Sequence, residues 1–166
     1  MAKKEKSKDK KEASGDITVA VNRRARFDYE IEDSFEAGLV LTGTEVKSLR
    51  RGDAQIAEGY ANLSTGPNQT PEAWLHNVHI APYKEGNAFN VEARRKRKLL
   101  LRRDQLNRLQ ASTQQKGYTL VPLKLYFTRG KAKLEIGLAK GRKHHDKRHA
   151  IAEREMKHDL RRLVGE

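Results

Sequence analysis

The sequence predicts a mainly β protein: a closed antiparallel β-barrel of about six strands with two to three helices, followed by a basic C-terminal tail that is disordered when free. Three observations predict it. Several short segments alternate apolar and polar residues with the period of a half-buried strand. Glycine, proline and asparagine punctuate the gaps between them. Segment 140–166 carries nine Lys/Arg, five Asp/Glu and four of the six histidines, which leaves it too little apolar surface to fold firmly by itself.

Composition narrows the function. Of 166 residues, 36% are apolar and 34% charged, enough for one modest core. Lys and Arg number 35 against 22 Asp and Glu, a formal charge of +13. Such an excess repels itself unless a polyanion neutralises it, so nucleic acid or an anionic membrane surface is the expected partner class. No window approaches the length of an apolar membrane span. The six lysines among the first eleven residues are not followed by an apolar stretch, so no signal peptide is expected. Cysteine is absent. That excludes disulfides, thiolate nucleophiles and cysteine-based zinc sites, and it suits a reducing cytosol.

Residues 1–20 are rich in Lys, Glu, Asp and Ser, and are expected to form a disordered basic arm. The barrel is expected over 21–139 and the tail over 140–166. Residues 26–32 place Phe27, Tyr29 and Ile31 on one face of a strand. A second strand, Phe35 to Thr42, holds Gly38, which signals a bulge or a close backbone approach. Thr44 to Arg51 reads as a short plug helix capped by Thr44, with Val46 and Leu49 facing the core and Gly52 ending it. Residues 54–63 and 72–80 are two more strands across the polar loop 64–71. A Pro/Gly/Asn connection spans 81–93. Segment 94–103 then holds seven basic residues around three leucines. A helix follows from about Asp104 to Lys116, with Gly117 as its stop. Tyr118 to Phe127 is a strongly apolar strand in which Pro122 marks an edge or bulge. Thr128-Arg-Gly130 turns it into Lys131 to Ala139, with Lys131, Lys133 and Glu135 facing out. Short strands closing on themselves around a plug helix follow the oligonucleotide/oligosaccharide-binding (OB) barrel plan. An open sheet with helices on one face is the alternative that pattern leaves standing.

Enzyme signatures are missing: the sequence has no phosphate-binding Gly-rich loop, no nucleophile elbow and no H-E-x-x-H. His76 and His79, three apart on a strand, point to opposite faces, which argues against a shared metal. His145 and His149 would share a helix face, but Arg142, Lys143, Lys147 and Arg148 surround them with positive charge. These histidines read better as flat rings beside phosphate-binding cations. No metal, cofactor or catalytic residue is expected. Glu36, in a strand, is either an edge residue with a local ion-pair partner or a carboxylate that orients an arginine or a base-edge donor at an RNA surface. A membrane binder would need a broad apolar helix face, and Met156, Leu160, Leu163 and Val164 give the tail only a narrow stripe.

Six blocks stand out: Asn22-Arg-Arg-Ala25, Phe35-Glu-Ala-Gly38, Gly43-Thr-Glu-Val-Lys-Ser-Leu-Arg50, Arg97-Lys-Leu-Leu-Leu101, Gly117 to Tyr126, and Gly137-Leu-Ala-Lys-Gly141 followed by Asp146-Lys-Arg148. Together they resemble the small protein B family, the proteins that bind transfer-messenger RNA. The resemblance runs from Asn22 to the C-terminus. It implies an OB-type barrel and a non-enzymatic, cytoplasmic role in trans-translation. The partners it implies are the tRNA-like end of transfer-messenger RNA and the stalled ribosome. By the resemblance, Asn22, Glu36, Leu100 and Lys133 match positions tied to RNA binding, although Leu100 reads as core from pattern alone. The resemblance also implies that the tail becomes a helix in the empty mRNA channel, with the ring of His145 stacking in the decoding centre. Loop 64–71 is longer than is usual in the family.

Together these readings give a candidate RNA surface of Asn22, Arg23, Arg24, Glu36, Arg97, Lys98, Leu100, Lys131, Lys133 and Lys140. The candidate ribosome-contacting residues of the tail are Arg142, Lys143, His145, Asp146, Lys147 and Arg148. The free chain is expected to be a monomer. A generic OB-barrel ribosomal or RNA-chaperone protein is the alternative.

Overall fold

The computed structural model describes residues 15–142 and 144–164, the side chains of 144–146 excepted. The expected disorder of residues 1–14 and the role given to Lys143 lie outside the described residues, as do the side chains of His145 and Asp146.

The chain runs through β1 (Ile17–Val21), α1 (Ala25–Asp28), β2 (Tyr29–Leu39), α2 (Gly43–Arg50), β3 (Ala54–Gln55), β4 (Tyr60–Thr65), β5 (Pro71–His76), β6 (His79–Ile80) and β7 (Arg97–Leu100). It continues through α3 (Arg103–Thr113), β8 (Tyr118–Thr128), β9 (Lys131–Gly141) and α4 (His144–Val164). All pairings are antiparallel. They run β8–β4–β5–β7–β2–β9 and return to β8, a ring-like sheet of six strands with β1 added along the second half of β8. β3 and β6 form a separate small ladder.

The ring turns because two of its three 11-residue strands, β8 and β2, change partners along their length. β8 carries a register shift between Pro122 and Lys124. Before it Leu120 pairs with Ala61 of β4; beyond it Lys124 to Phe127 pair with β1. Pro122 has no N–H to give to a ladder, which is why the irregularity falls there. β2 shifts register between Ile31 and Asp33 and hands its last residues, Gly38 and Leu39, to β7.

Inside the ring, alternate residues make the core: Phe35 and Ala37 of β2, Leu99 of β7, Leu120 and Leu125 of β8, and Leu134 and Ile136 of β9. α2 adds Leu49 and α3 adds Leu109 to the same cluster. A second cluster sits apart from it. There Ala25 of α1 packs with Val121, Leu123 and Ala139, flanked by Tyr29 and Ile31. Gly137 lies under it: a Cβ there would meet Leu123 Cδ1 at 3.0 Å and Ile31 Cγ2 at 3.1 Å.

Several expectations are corrected. The sheet begins at Ile17, inside the segment expected to be disordered. Residues 26–28 belong to the helical turn α1, and the two strands expected over 26–42 are one, β2. The cap of α2 is Thr42, not Thr44. Its Oγ1 accepts from Glu45 N, and Glu45 Oε1 accepts from Thr42 N at 3.0 Å, a reciprocal capping box. The strand expected over 72–80 breaks at Asn77, where φ is +56°, into β5 and β6. Arg97–Leu100, read only as a basic run, is the strand that joins β5 to β2. The tail, expected to be disordered when free, is the helix α4 over 144–164. Met156, Leu160, Leu163 and Val164 are exposed on it.

Candidate nucleic-acid interface

Two rows of outward side chains cross the ring. Leu100 of β7 faces Gly38 of β2, Gly38 faces Lys133 of β9, and Lys133 faces Tyr126 of β8. Directly opposed residues share a face of the sheet, so Leu100, Lys133 and Tyr126 stand together outside. In the next row Glu36 faces Glu135, which faces Lys124. Gly38 permits the arrangement. A Cβ there would approach Leu100 Cβ to 3.3 Å, so the close backbone approach expected at Gly38 is the passage of Leu100 over it. Leu100 is 54% exposed and belongs to no core, contrary to its apolar character. Pattern could have shown this. In Arg97-Lys-Leu-Leu100 a period of two puts Arg97 and Leu99 inside and Lys98 and Leu100 outside, which for Arg97 and Leu100 is the inverse of what the residue types suggest.

Glu36 is exposed, and among the described residues its side-chain partner is the Tyr126 hydroxyl, which donates to Oε2, rather than a cation. The Lys124 ammonium stands 5.4 Å from the Tyr126 ring centroid. Burial, the hydrogen bond to Glu36 and the Glu36 charge all push the Tyr126 hydroxyl well above the ordinary tyrosine range. Tyr126 thus stays a proton donor at neutral pH. Sequence reasoning missed it, although an outward aromatic between Leu125 and Phe127 was a usable signal.

Other candidate residues have different jobs. Arg97 is 1% exposed. Its Nε donates to Glu45 Oε2, and its two terminal nitrogens donate to the carbonyls of Val78 at 2.7 Å, Arg95 at 3.1 Å and Ala93 at 2.9 Å. Arg97 is therefore a structural tie between α2 and β7, not a surface cation. Burial lowers its pKa from the ordinary arginine value, and the Glu45 carboxylate opposes that shift. Burial alone would raise the Glu45 carboxyl, but hydrogen bonds from Arg95, the Thr42 backbone and Arg97 outweigh it and hold Glu45 below the ordinary range. Asn22 is buried too. Its Nδ2 donates to Pro122 O at 3.0 Å and its Oδ1 accepts from Ala25 N at 3.2 Å, which fastens the β1–α1 corner to the β8 bulge. Lys98 pairs with Glu72 at 3.0 Å. Arg23 is exposed, and Arg24 lies 3.9 Å from Asp28. Lys131 and Lys140 are exposed, the latter with its Nζ 5.7 Å from the Tyr118 ring centroid.

The tail is rooted on α1. Arg142 N donates to Asp28 O at 3.2 Å and Arg142 Nε to Tyr29 O at 3.3 Å. Lys147 stands 3.9 Å from Asp28, and Arg148 is exposed. Beside this root lies a cleft of about 500 Å³, lined by Arg24, Tyr29, Glu58 and Tyr60 among others. Tyr60 stacks on His76, with ring centroids 5.1 Å apart, and His76 Nε2 shares a hydrogen bond with Asn62 at 2.8 Å. Among the described residues no three His, Asp or Glu groups converge as a metal site would require.

These features define a class: a basic, mainly β protein that displays its distinctive polar groups on the outer surface of a ring-like sheet, with a helix rooted beside them. The model of the family described as SmpB protein matches residues 19–166. The SsrA-binding protein of Thermobifida fusca is 55% identical over 164 residues, covering 99% of this chain and 98% of that one. That of Frankia casuarinae is 53% identical over 152 residues, covering 92% of each. A solved structure described as "tmRNA-SmpB: a journey to the center of the bacterial ribosome" is 48% identical, with a TM-score of 0.62, and covers 80% of this chain and 93% of its own. The chain belongs to the SmpB family.

Proposed function

We propose that this protein binds the tRNA-like domain of transfer-messenger RNA and delivers it to ribosomes stalled without a stop codon, as a non-enzymatic, cytoplasmic factor of trans-translation. The observation that carries this reading is the family match, which runs from residue 19, within β1, through the rest of the sheet and into the tail. The ring-like sheet is read as a closed OB-type barrel. The outer rows with Glu36, Leu100 and Lys133 are read as the face that meets the RNA. Lys133 supplies a phosphate partner, Leu100 a flat apolar contact, and Glu36 an acceptor for base-edge N–H groups. Arg23, Arg24, Lys98, Lys131 and Lys140 add positive charge around it. Arg97 and Asn22 act by holding the scaffold.

The tail, helical over 144–164, is read as the ribosome-directed part, its helix lying in the empty mRNA channel. Arg142, Lys143, His145, Asp146, Lys147 and Arg148 begin it at the decoding centre. Because β9 runs to Gly141 and Arg142 is fastened to α1 and β2, a chain ending at Arg142 keeps the sheet intact. Such a chain is expected to bind the tRNA-like RNA as the full chain does but to fail in tagging stalled peptides. The test of the RNA partner is competition at fixed salt between the tRNA-like domain and an unrelated structured RNA of equal length. Equal affinity for the two would support a generic RNA-binding barrel instead.

A further inference from the structure

We propose that Tyr126 is a positioning residue of the RNA-binding face, acting through Glu36. The proposal rests on the reading of that face given above. It extends that reading to a residue that no pattern in the basic runs or in the acidic position singles out.

Three observations point to it. The first is that Glu36 stands where a sheet should not hold a carboxylate. It lies directly opposite Glu135 on β9, and like charges on opposed strands destabilise the pair. Lys124 is opposite Glu135 on the other side. Glu36 itself has no cation: among the described residues its side chain takes a hydrogen bond from the Tyr126 hydroxyl alone. A neutral donor satisfies the carboxylate without neutralising its charge, so Glu36 stays available to a partner as an anion.

The second observation is geometric. Tyr126 sits one row along from Glu36 and directly across from Lys133, and its hydroxyl reaches Glu36 diagonally across β9, the strand that carries Lys133. Its hydroxyl takes Oε2, which leaves Oε1 for an outside donor. A surface glutamate with three free side-chain torsions would otherwise have to be ordered when RNA arrives, at a cost in conformational entropy.

Third, the tyrosine is itself held. It is half-buried between β1 and β9, opposite Thr18 and Lys133, and Lys124 lies over its ring. Burial and the Glu36 charge keep it protonated far past neutral pH. The donor is therefore constant through the physiological range. The structure assigns Tyr126 to pre-organisation: it fixes which oxygen of Glu36 meets a base-edge N–H group, and it places that oxygen relative to Lys133.

The test is a double-mutant cycle on the full chain. Y126F, E36Q, the double variant and K133A are titrated with the isolated tRNA-like RNA at one salt concentration, and each is melted in the absence of RNA. Y126F keeps the ring and removes only the donor. It is expected to fold with a melting temperature within a few degrees of the parent and to bind RNA roughly tenfold more weakly. E36Q and K133A should each weaken binding, and adding Y126F to E36Q should cause little further loss. A merely structural tyrosine would not produce that non-additivity: Y126F would then weaken binding by the same factor in both backgrounds, which overturns the proposal. If E36Q and K133A weaken binding while Y126F binds as the parent does, the positioning role alone is wrong. If neither E36Q nor K133A affects binding, the reading of the face fails and the proposal fails with it.

Discussion

The tie between Glu45 and Arg97 makes a prediction that can be worked through. Glu45 is 4% exposed and Arg97 1%. Glu45→Ala removes the only anion that touches Arg97 among the described residues and one half of the capping box of α2. Leaving a buried charge uncompensated costs about 3–5 kcal/mol, and the weakened cap adds up to ~1 kcal/mol. A domain of ordinary stability has about 5–15 kcal/mol in total, so the variant should be folded but fragile. Arg97→Met is milder because Glu45 keeps Arg95. The main loss is then the carbonyls of Val78, Arg95 and Ala93, each deprived of one donor, and about 1–3 kcal/mol is expected. In the double variant E45L/R97M neither charge remains, and replacing both partners of a buried pair with apolar groups is often near neutral. Its loss should therefore be clearly smaller than the sum of the single losses. Urea denaturation with an unchanged slope is the measurement. The reasoning fails if Glu45→Ala costs under 1 kcal/mol, or if the double variant costs as much as the two singles added. RNA affinity of Arg97→Met, measured where the variant is folded, should match the parent, since Arg97 offers nothing to solvent.

Other expectations follow from the same geometry. The folded chain holds the Glu45 carboxyl below its ordinary range. Its contribution to stability is thus complete above that range and is lost as pH falls through the depressed value; in E45Q the acid limb of a stability–pH curve should flatten accordingly. Gly38→Ala meets Leu100 at 3.3 Å, but Leu100 is half-exposed and can yield, so the melting temperature should barely move while RNA binding weakens. Gly137→Ala meets Leu123 and Ile31 inside a packed cluster and should lose about 1–3 kcal/mol by denaturation. Asn22→Ala orphans Pro122 O and Ala25 N; about 1–3 kcal/mol should be lost, visible in thermal melts without RNA.

Local chemistry made much of the fold legible. The β8–β9 hairpin follows from alternation around Gly130, whose φ is +74°, and the Pro122 bulge from a missing N–H. Gly38 was readable as a close approach, although only the pairing shows that Leu100 is what approaches. The misses share one cause. β1, α1 and β7 are short, and their residues take their meaning from partners far along the chain. Ile17-Thr-Val-Ala-Val21 alternates, but it adjoins a lysine-rich arm and stays a strand because β8 accepts it. Arg97 looked like one more surface cation in a basic run; Glu45, 52 residues earlier, decides that it is buried. On the outer face, Glu36 and Lys133 were identified from strand position and the family resemblance. Tyr126 was not, because its role depends on a diagonal contact between β8 and β2, strands that meet only across β9.

The place of β8 in the ring has a consequence for how the protein is made. β8 and β9 are the last strands in the sequence, yet β1, β2 and β4 all pair with one or the other. Asn22 finds its acceptor, Pro122, across 100 residues. Chains emerge from synthesis N-terminus first, so β1 waits unpaired until nearly the whole sheet has been translated. The intermediate lengths expose strand edges and half a core. Long-range closure of this kind is slow compared with local folding. Nascent chains halted before Tyr118 should therefore be open to proteases and chaperones throughout, and protection should arrive in one late step as β8 and β9 become available.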